Sequence, residues 1–236
     1  MTRRNDQAIY ERDGARWWDA GDRTFRSLQS VKRFHLELLL ELCGPELAGA
    51  TVVDLGCGGG LFALPLAQRG ARVVGVDLSA RSLGAARDEA RRTGARAAFV
   101  RGDACRAPLA AGCARLVLIS DVLEHLGDHA AAVREAARLL VPGGALFVNT
   151  FDRGFLSALL VVHLAEGLRL VPRGTHDPRL FVAPERLEEL ARAEGLALER
   201  LQRESPAIWR TLATRTVHLR RTRRGCGYAA FFRKVR

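Results

Sequence analysis

Short apolar runs alternate with longer amphipathic stretches from about residue 50 to residue 150. Thr51 to Leu55 reads as a buried strand carrying Asp54 near its end, and a glycine-rich turn follows. Leu61 to Arg69 has helical periodicity and stops at Gly70. Arg72 to Val76 is a second strand and Ala80 to Thr93 a second helix. Ala97 to Arg101, Arg115 to Ile119 and Ala145 to Thr150 supply three more strands. A helix over Ala130 to Leu140 precedes the last of these, and Pro142-Gly143-Gly144 marks its stop and turn. This rhythm predicts an α/β fold whose mostly parallel sheet is covered by helices on both faces. Leu196 to Glu204 and Tyr228 to Val235 read as two closing strands, making seven, and Pro184 to Glu194 as a further helix. Phe25 to Cys43 is an amphipathic lead-in helix within a segment spanning 1–49, and 153–181 breaks the rhythm as an insertion. A length of 236 residues suits one domain built this way.

Composition narrows the setting. Hydrophobic residues make up 48% of the chain, enough for a buried core. No apolar run approaches the roughly 20 residues of a spanning helix, and the polar stretch Met1 to Arg16 does not read as a signal peptide. The cysteines Cys43, Cys57, Cys105, Cys113 and Cys226 form no C-x-x-C pair and are odd in number, which disfavours a zinc ribbon or a disulfide framework. A reduced, cytoplasmic setting is expected. The net charge is +11, of which +10 falls between Arg200 and Arg236. That segment suits an anionic partner, either lipid or nucleic acid, although a solvated arginine-rich face would read the same way.

The chemistry-bearing motif is Asp54-Leu55-Gly56-Cys57-Gly58-Gly59-Gly60, between a strand and a helix. Glycines there let the backbone turn sharply and approach a ligand closely. A dinucleotide fingerprint would need glycine where Leu61 stands, so a pyrophosphate cradle is disfavoured. Asp77 closes the second strand and Asp103 follows the third. Each aspartate alone reads equally well as a strand-end residue. Together they line the carboxyl edge, where open α/β sheets bind ligands.

These residues resemble the class I, Rossmann-like methyltransferases that use S-adenosylmethionine (SAM). The resemblance implies that Asp54, Gly56 and Gly58 line the methionine side. It places Asp77 and Leu78 at the ribose, Asp103 and Ala104 at the adenine, and Ser120 beside the sulfonium. The fourth strand then runs into Asp121-Val122-Leu123-Glu124-His125. On a helix, Asp121, Glu124 and His125 would share one face beside the methyl donor. Such a face could hold Mg²⁺ or Zn²⁺ and acidify an acceptor hydroxyl. Without a metal, His125 would be a general base, with Glu124 in the catalytic group. A helix start enriched in acids is the plain structural alternative. No N/D-P-P-Y/F sequence follows the fourth strand, which weighs against methylation of nucleic-acid bases.

A narrower resemblance rests on Trp17-Trp18-Asp19, Leu123-Glu124-His125, Pro142-Gly143-Gly144, and above all Val171-Pro172-Arg173-Gly174-Thr175-His176-Asp177 followed by Phe181, Pro184 and Leu187. These are similar to the ubiquinone-biosynthesis O-methyltransferases, which methylate a catechol-like hydroxyl of a polyprenylated ring. The resemblance implies O-methylation and a divalent cation at Asp121, Glu124 and His125. His176 and Asp177 are candidates to line the acceptor pocket, or to stabilise a turn. The family's lead-in helix commonly reads L-H-x-x-N-x-x-R; here Lys32 and His35 stand at the asparagine and arginine positions. An aromatic natural product remains an alternative acceptor, and RNA or protein a more distant one. The apolar stretch Phe155 to Leu170 reads as a core helix, a substrate lid or a contact with an anionic membrane surface.

Overall fold

The structure, a computed structural model, describes residues 8–154, 157 and 176–235. Most of the insertion, including the apolar stretch Phe155 to Leu170 and the Val171 to Thr175 part of its motif, lies outside the described residues.

Two helices lead in: α1 (Ala8–Asp13) and α2 (Arg23–Cys43). Asp22 starts α2 by accepting hydrogen bonds from the backbone N–H groups of Thr24 and Phe25, satisfying two donors that the first helical turn leaves open. The alternating core then runs β1 (Thr51–Leu55), α3 (Ala63–Gln68), β2 (Arg72–Asp77), α4 (Ala80–Thr93), β3 (Ala97–Arg101), β4 (Ala114–Ser120), α5 (His129–Leu139) and β5 (Leu140–Phe151). Four elements follow in the last third: α6 (Pro184–Ala193), β6 (Leu196–Pro206), α7 (Ile208–Thr214) and β7 (Leu219–Thr222). The strand β8 (Gly227–Lys234) ends the described fold.

The strands form one sheet in the order β3-β2-β1-β4-β5-β8-β6-β7. β3, β2, β1, β4 and β5 are parallel, whereas β8 pairs antiparallel with both β5 and β6. The sheet has one strand more than the seven expected. The extra strand, β7, is a four-residue edge segment, Leu-Arg-Arg-Thr, with two exposed arginines and too little apolar pattern to be read from sequence. Pro142-Gly143-Gly144 lies inside β5 instead of ending a helix. It forms an irregularity there: Ala114 pairs with Leu140 but Leu116 with Ala145, and Gly143 takes φ +70°.

Alternation along β4 assigns its two faces. Leu116 and Leu118 pack with Leu36 and Leu39 of α2 and with Phe62 and Phe147, while Val117 and Ile119 pack with Val133 and Ala136 of α5 and with Leu187 of α6. Chain order departs to opposite sides of the sheet from the β1–β4 pair. The crevice at that switch point lies beyond the carboxyl ends of β1 and β4, which carry Asp54 and Ser120.

Candidate active site

A crevice opens at this switch point. Its lining includes Asp54, Gly56, Gly58, Asp77, Leu78, Asp103, Ala104 and Ser120, every position at which the sequence predicted cofactor contact. Gly56 and Gly58 turn with φ +74° and +51°, which L-residues seldom adopt. A Cβ at Gly56 would fall 2.3 Å from a methyl of Val122, and one at Gly58 would fall 2.5 Å from the Trp17 ring. The glycines therefore serve close packing as well as the turn.

The carboxylates of the crevice are held in different ways. Asp77 accepts the Gly58 N–H at 2.8 Å through Oδ2 and the Ser79 N–H at 2.8 Å through Oδ1. Burial raises its pKa, and the two amides offset part of that rise. Each oxygen keeps a lone pair for a ligand hydroxyl. Asp103 accepts the Cys105 N–H at 2.8 Å. Asp54 is 2% exposed, and burial pushes its pKa up to about 7; Lys32 opposes the rise and Asp77 adds to it. A buried acidic group beside this backbone fits a cationic ligand, because a counter-ion would favour its ionised form.

The lead-in segment forms part of this crevice, which sequence reasoning missed. Tyr10 and Trp17 line it, with their rings stacked 5.9 Å apart. Trp17 Nε1 donates to Ser82 Oγ of α4 at 2.9 Å, and Trp18 Nε1 donates to the Gly59 carbonyl of the glycine loop at 2.9 Å. The Trp17-Trp18 pair was the available signal. Tyr10 carried none, yet its ring meets His125 edge-on at 6.0 Å.

Residues 121–125 do not form the expected helical face. Asp121 takes φ +53°, a strained value for a non-glycine residue, and only Leu123–His125 make a single 3-10 turn. Asp121 and His125 line the crevice. Glu124 instead points into the core, 0% exposed, where its Oε2 accepts the Thr150 hydroxyl at 2.7 Å and Oε1 has no hydrogen-bond partner among the described residues. Burial and neighbouring Asp121 hold Glu124 above the usual carboxylate range. Asp121 goes the other way: burial raises it, but Lys32, His35 and His125 together bring it below its ordinary value. Burial and neighbouring His176 lower His125 to about 3, so its imidazole is neutral at physiological pH.

Asp121 is held by a hydrogen bond on one oxygen and an ion pair on the other. Oδ1 accepts Asn149 Nδ2 at 2.6 Å, and Oδ2 lies 2.9 Å from Lys32 Nζ. Lys32 Nζ also donates to the Ser120 carbonyl at 2.7 Å and to Ser120 Oγ at 2.6 Å, while that hydroxyl donates to Asn149 Oδ1. Among the described residues, no three His, Cys, Asp or Glu side chains are grouped so as to hold a metal ion. The expected Asp121–Glu124–His125 ligand set does not fit a divalent cation here, because one member is turned inward and another is paired with an ammonium.

His35 forms a buried pair with Glu204, its Nε2 2.8 Å from Oε1. It is therefore engaged away from the crevice lining. His176 lies next to the site, its ring centroid 5.7 Å from that of His125 and 5.3 Å from that of Phe151. Asp177 caps the 3-10 turn Pro178–Leu180 by accepting the Arg179 N–H at 3.1 Å, and it binds the Arg179 guanidinium at 2.6 Å. That geometry carries the turn-stabilising alternative for Asp177.

Residues 53–148 match the family model for a methyltransferase domain. The chain is 38% identical over 188 residues to the ubiquinone biosynthesis O-methyltransferase of Sodalis glossinidius (strain morsitans), covering 78% of this chain and 74% of that protein. It is 36% identical over 221 residues to the enzyme of the same name from Methylococcus capsulatus, covering 93% and 90%. In fold it is similar to the magnesium protoporphyrin IX methyltransferase of Synechocystis, solved with bound S-adenosylhomocysteine, with a TM-score of 0.69, 18% identity and 96% coverage of both chains. The similarity to the two O-methyltransferases spans more than two thirds of each chain. The chain belongs to the ubiquinone biosynthesis O-methyltransferase family, and it is a SAM-dependent O-methyltransferase.

Proposed function

We propose that this chain transfers the methyl group of SAM to one hydroxyl of a catechol-like, polyprenylated aromatic ring, a late precursor of a ubiquinone. The observation that carries this reading is the crevice itself, which joins the glycine loop, Asp54 and Asp77 to His125 at its far end. Asp54 faces the methionyl ammonium, Asp77 the ribose hydroxyls, and Asp103 with Ala104 the adenine. Ser120 flanks the sulfonium, and His176 borders the acceptor. The neutral His125 imidazole accepts the proton of the acceptor hydroxyl. The resulting oxyanion attacks the methyl carbon, the carbon–sulfur bond breaks, and the sulfonium becomes a neutral thioether. Loss of the sulfonium charge removes the repulsion that would oppose a protonated His125, so the two events assist each other. Glu124 is a positioning residue in this reading, anchoring the turn beneath His125 through Thr150. Labelled SAM offered with prenylated catechols, simple catechols and RNA tests the proposal. Preferred transfer to the prenylated catechol is expected, and transfer to RNA alone would overturn it.

The state of Asp54 gives a pH prediction. Its carboxyl is raised to about 7 in the ligand-free chain, so below that pH it is increasingly protonated and neutral. A neutral acid cannot pair with the ammonium of SAM. Affinity should fall as pH falls, approaching roughly tenfold per pH unit below 7. Calorimetric titrations from pH 5.5 to 7.5 check this, and Asp54→Asn should flatten the curve at weak affinity.

The same reading places the enzyme against an anionic membrane, where a prenylated acceptor resides. Among the described residues no helix is long and apolar enough to cross a membrane. Support for surface contact comes from α7, where Trp209 is 86% exposed and Ile208 and Leu212 are each 50% exposed. Arg210, Arg215, Arg220, Arg223 and Arg224 are exposed nearby in sequence. Each basic side chain near an anionic surface contributes on the order of 1 kcal/mol, screened by salt. Flotation with anionic vesicles at low salt is expected, and Trp209→Ala should weaken it. Failure to float with anionic vesicles at low salt would reject membrane contact and favour a water-soluble acceptor.

A further inference from the structure

We propose that the ammonium of Lys32, and not a bound divalent cation, supplies the positive charge at the acceptor end of this crevice. The inference rests on the O-methyltransferase reading above and concerns what that reaction requires. Lys32 lies on α2 and is 8% exposed, with its Nζ 5.5 Å from the centroid of the Phe62 ring. Its Nζ donates to the Ser120 carbonyl at 2.7 Å and to Ser120 Oγ at 2.6 Å, and it forms an ion pair with Asp121 Oδ2 at 2.9 Å. Such a buried ammonium persists only where acceptors and a counter-charge surround it, and here both are present.

A divalent cation needs hard oxygen or imidazole donors that are free to converge on it. Asp121 lines the crevice with His125; its Oδ1 accepts Asn149 Nδ2, and its Oδ2 is ion-paired with Lys32. A dication binding Asp121 would have to displace the ammonium or sit against it. Lys32 also lines the crevice together with Asp121 and His125. Its charge is therefore placed to favour the oxyanion that forms when the acceptor hydroxyl loses its proton to His125. It further ties the end of β4 to α2, which holds Asp121 in its strained backbone conformation.

The identity of this side chain decides the charge beside Asp121. An asparagine would leave Asp121 Oδ2 without its cationic partner and open a place for a metal.

The test uses the full chain, with two readouts. Wild-type protein stripped by exhaustive chelation should keep its methyl-transfer rate within about twofold, and calorimetric titration with Mg²⁺, Mn²⁺ or Zn²⁺ alone should show no stoichiometric binding. Lys32→Asn should lose activity by a hundredfold or more in chelator, acquire a metal-binding isotherm, and recover activity when that metal is added. Lys32→Arg should stay metal-independent. Loss of wild-type activity on chelation, with one metal bound per chain and activity restored by it, would overturn the proposal. A Lys32→Asn enzyme that stays fully active in chelator would overturn it too. If Lys32→Asn does not fold, the wild-type titration decides alone. If no acceptor is methylated under any condition, the reading of the reaction fails, while the metal titrations still decide the role of Lys32.

Discussion

His125→Ala should lower kcat by roughly 10²- to 10⁴-fold, the usual contribution of a positioned general base, while SAM binds nearly as before. The imidazole lines the crevice, and its ring lies 6.0 Å from that of Tyr10 and 5.7 Å from that of His176. Burial and His176 lower it to about 3, so the imidazole is neutral at physiological pH and only a weak base. That weak basicity means it needs help from the chemistry. The disappearing sulfonium charge and the nearby Asp121 carboxylate provide it as the methyl moves. Single-turnover rates with saturating SAM and acceptor check the prediction. A variant with an unchanged kcat and a weakened acceptor KM would make His125 a binding residue only.

Gly56→Ala should destabilise the fold by about 2–5 kcal/mol and abolish SAM binding. Two costs combine. At φ +74° an L-residue pays roughly 1–2 kcal/mol. Its Cβ would also fall 2.3 Å from a Val122 methyl, an overlap of the kind that costs about 1–3 kcal/mol in a packed interior. Val122 cannot simply retreat, since it lies between Asp121 and the turn that carries His125. The costs separate experimentally: adding Val122→Ala to Gly56→Ala should recover the packing part and leave the backbone part. Thermal melts of the single and double variants measure this. No recovery in the double variant would show that the backbone strain alone is decisive.

The parallel half of the sheet was legible because its strands are short apolar runs punctuated by glycine and proline. Asp54, Asp77, Asp103 and Ser120 follow from strand ends at a switch point, where topology alone decides what faces a ligand. The segment after β4 was not legible. Helical spacing places Asp121, Glu124 and His125 on one face, but Asp121 adopts a left-handed backbone and the turn is 3-10, so Glu124 goes inward to Thr150. Spacing cannot announce such a break when no glycine marks it. Lys32 was visible only as a departure from a family pattern, because its partners Ser120 and Asp121 lie far away in sequence, at the end of β4 and just beyond it. Tyr10 and the edge strand β7 were hidden for a similar reason: neither belongs to a periodic pattern, and each is defined by what it packs or pairs with.

The central claim is that this crevice delivers a methyl group from SAM to a phenolic oxygen at the His125 end. A single-turnover reaction with SAM carrying a ¹³C-labelled methyl group and a short-chain prenylated catechol tests it most directly. Carbon NMR of the product should show one labelled methoxyl carbon on the ring, formed by the wild-type chain and nearly absent with His125→Ala. Label appearing on a ring carbon or on nitrogen, or methoxyl product formed equally fast without His125, would contradict the account.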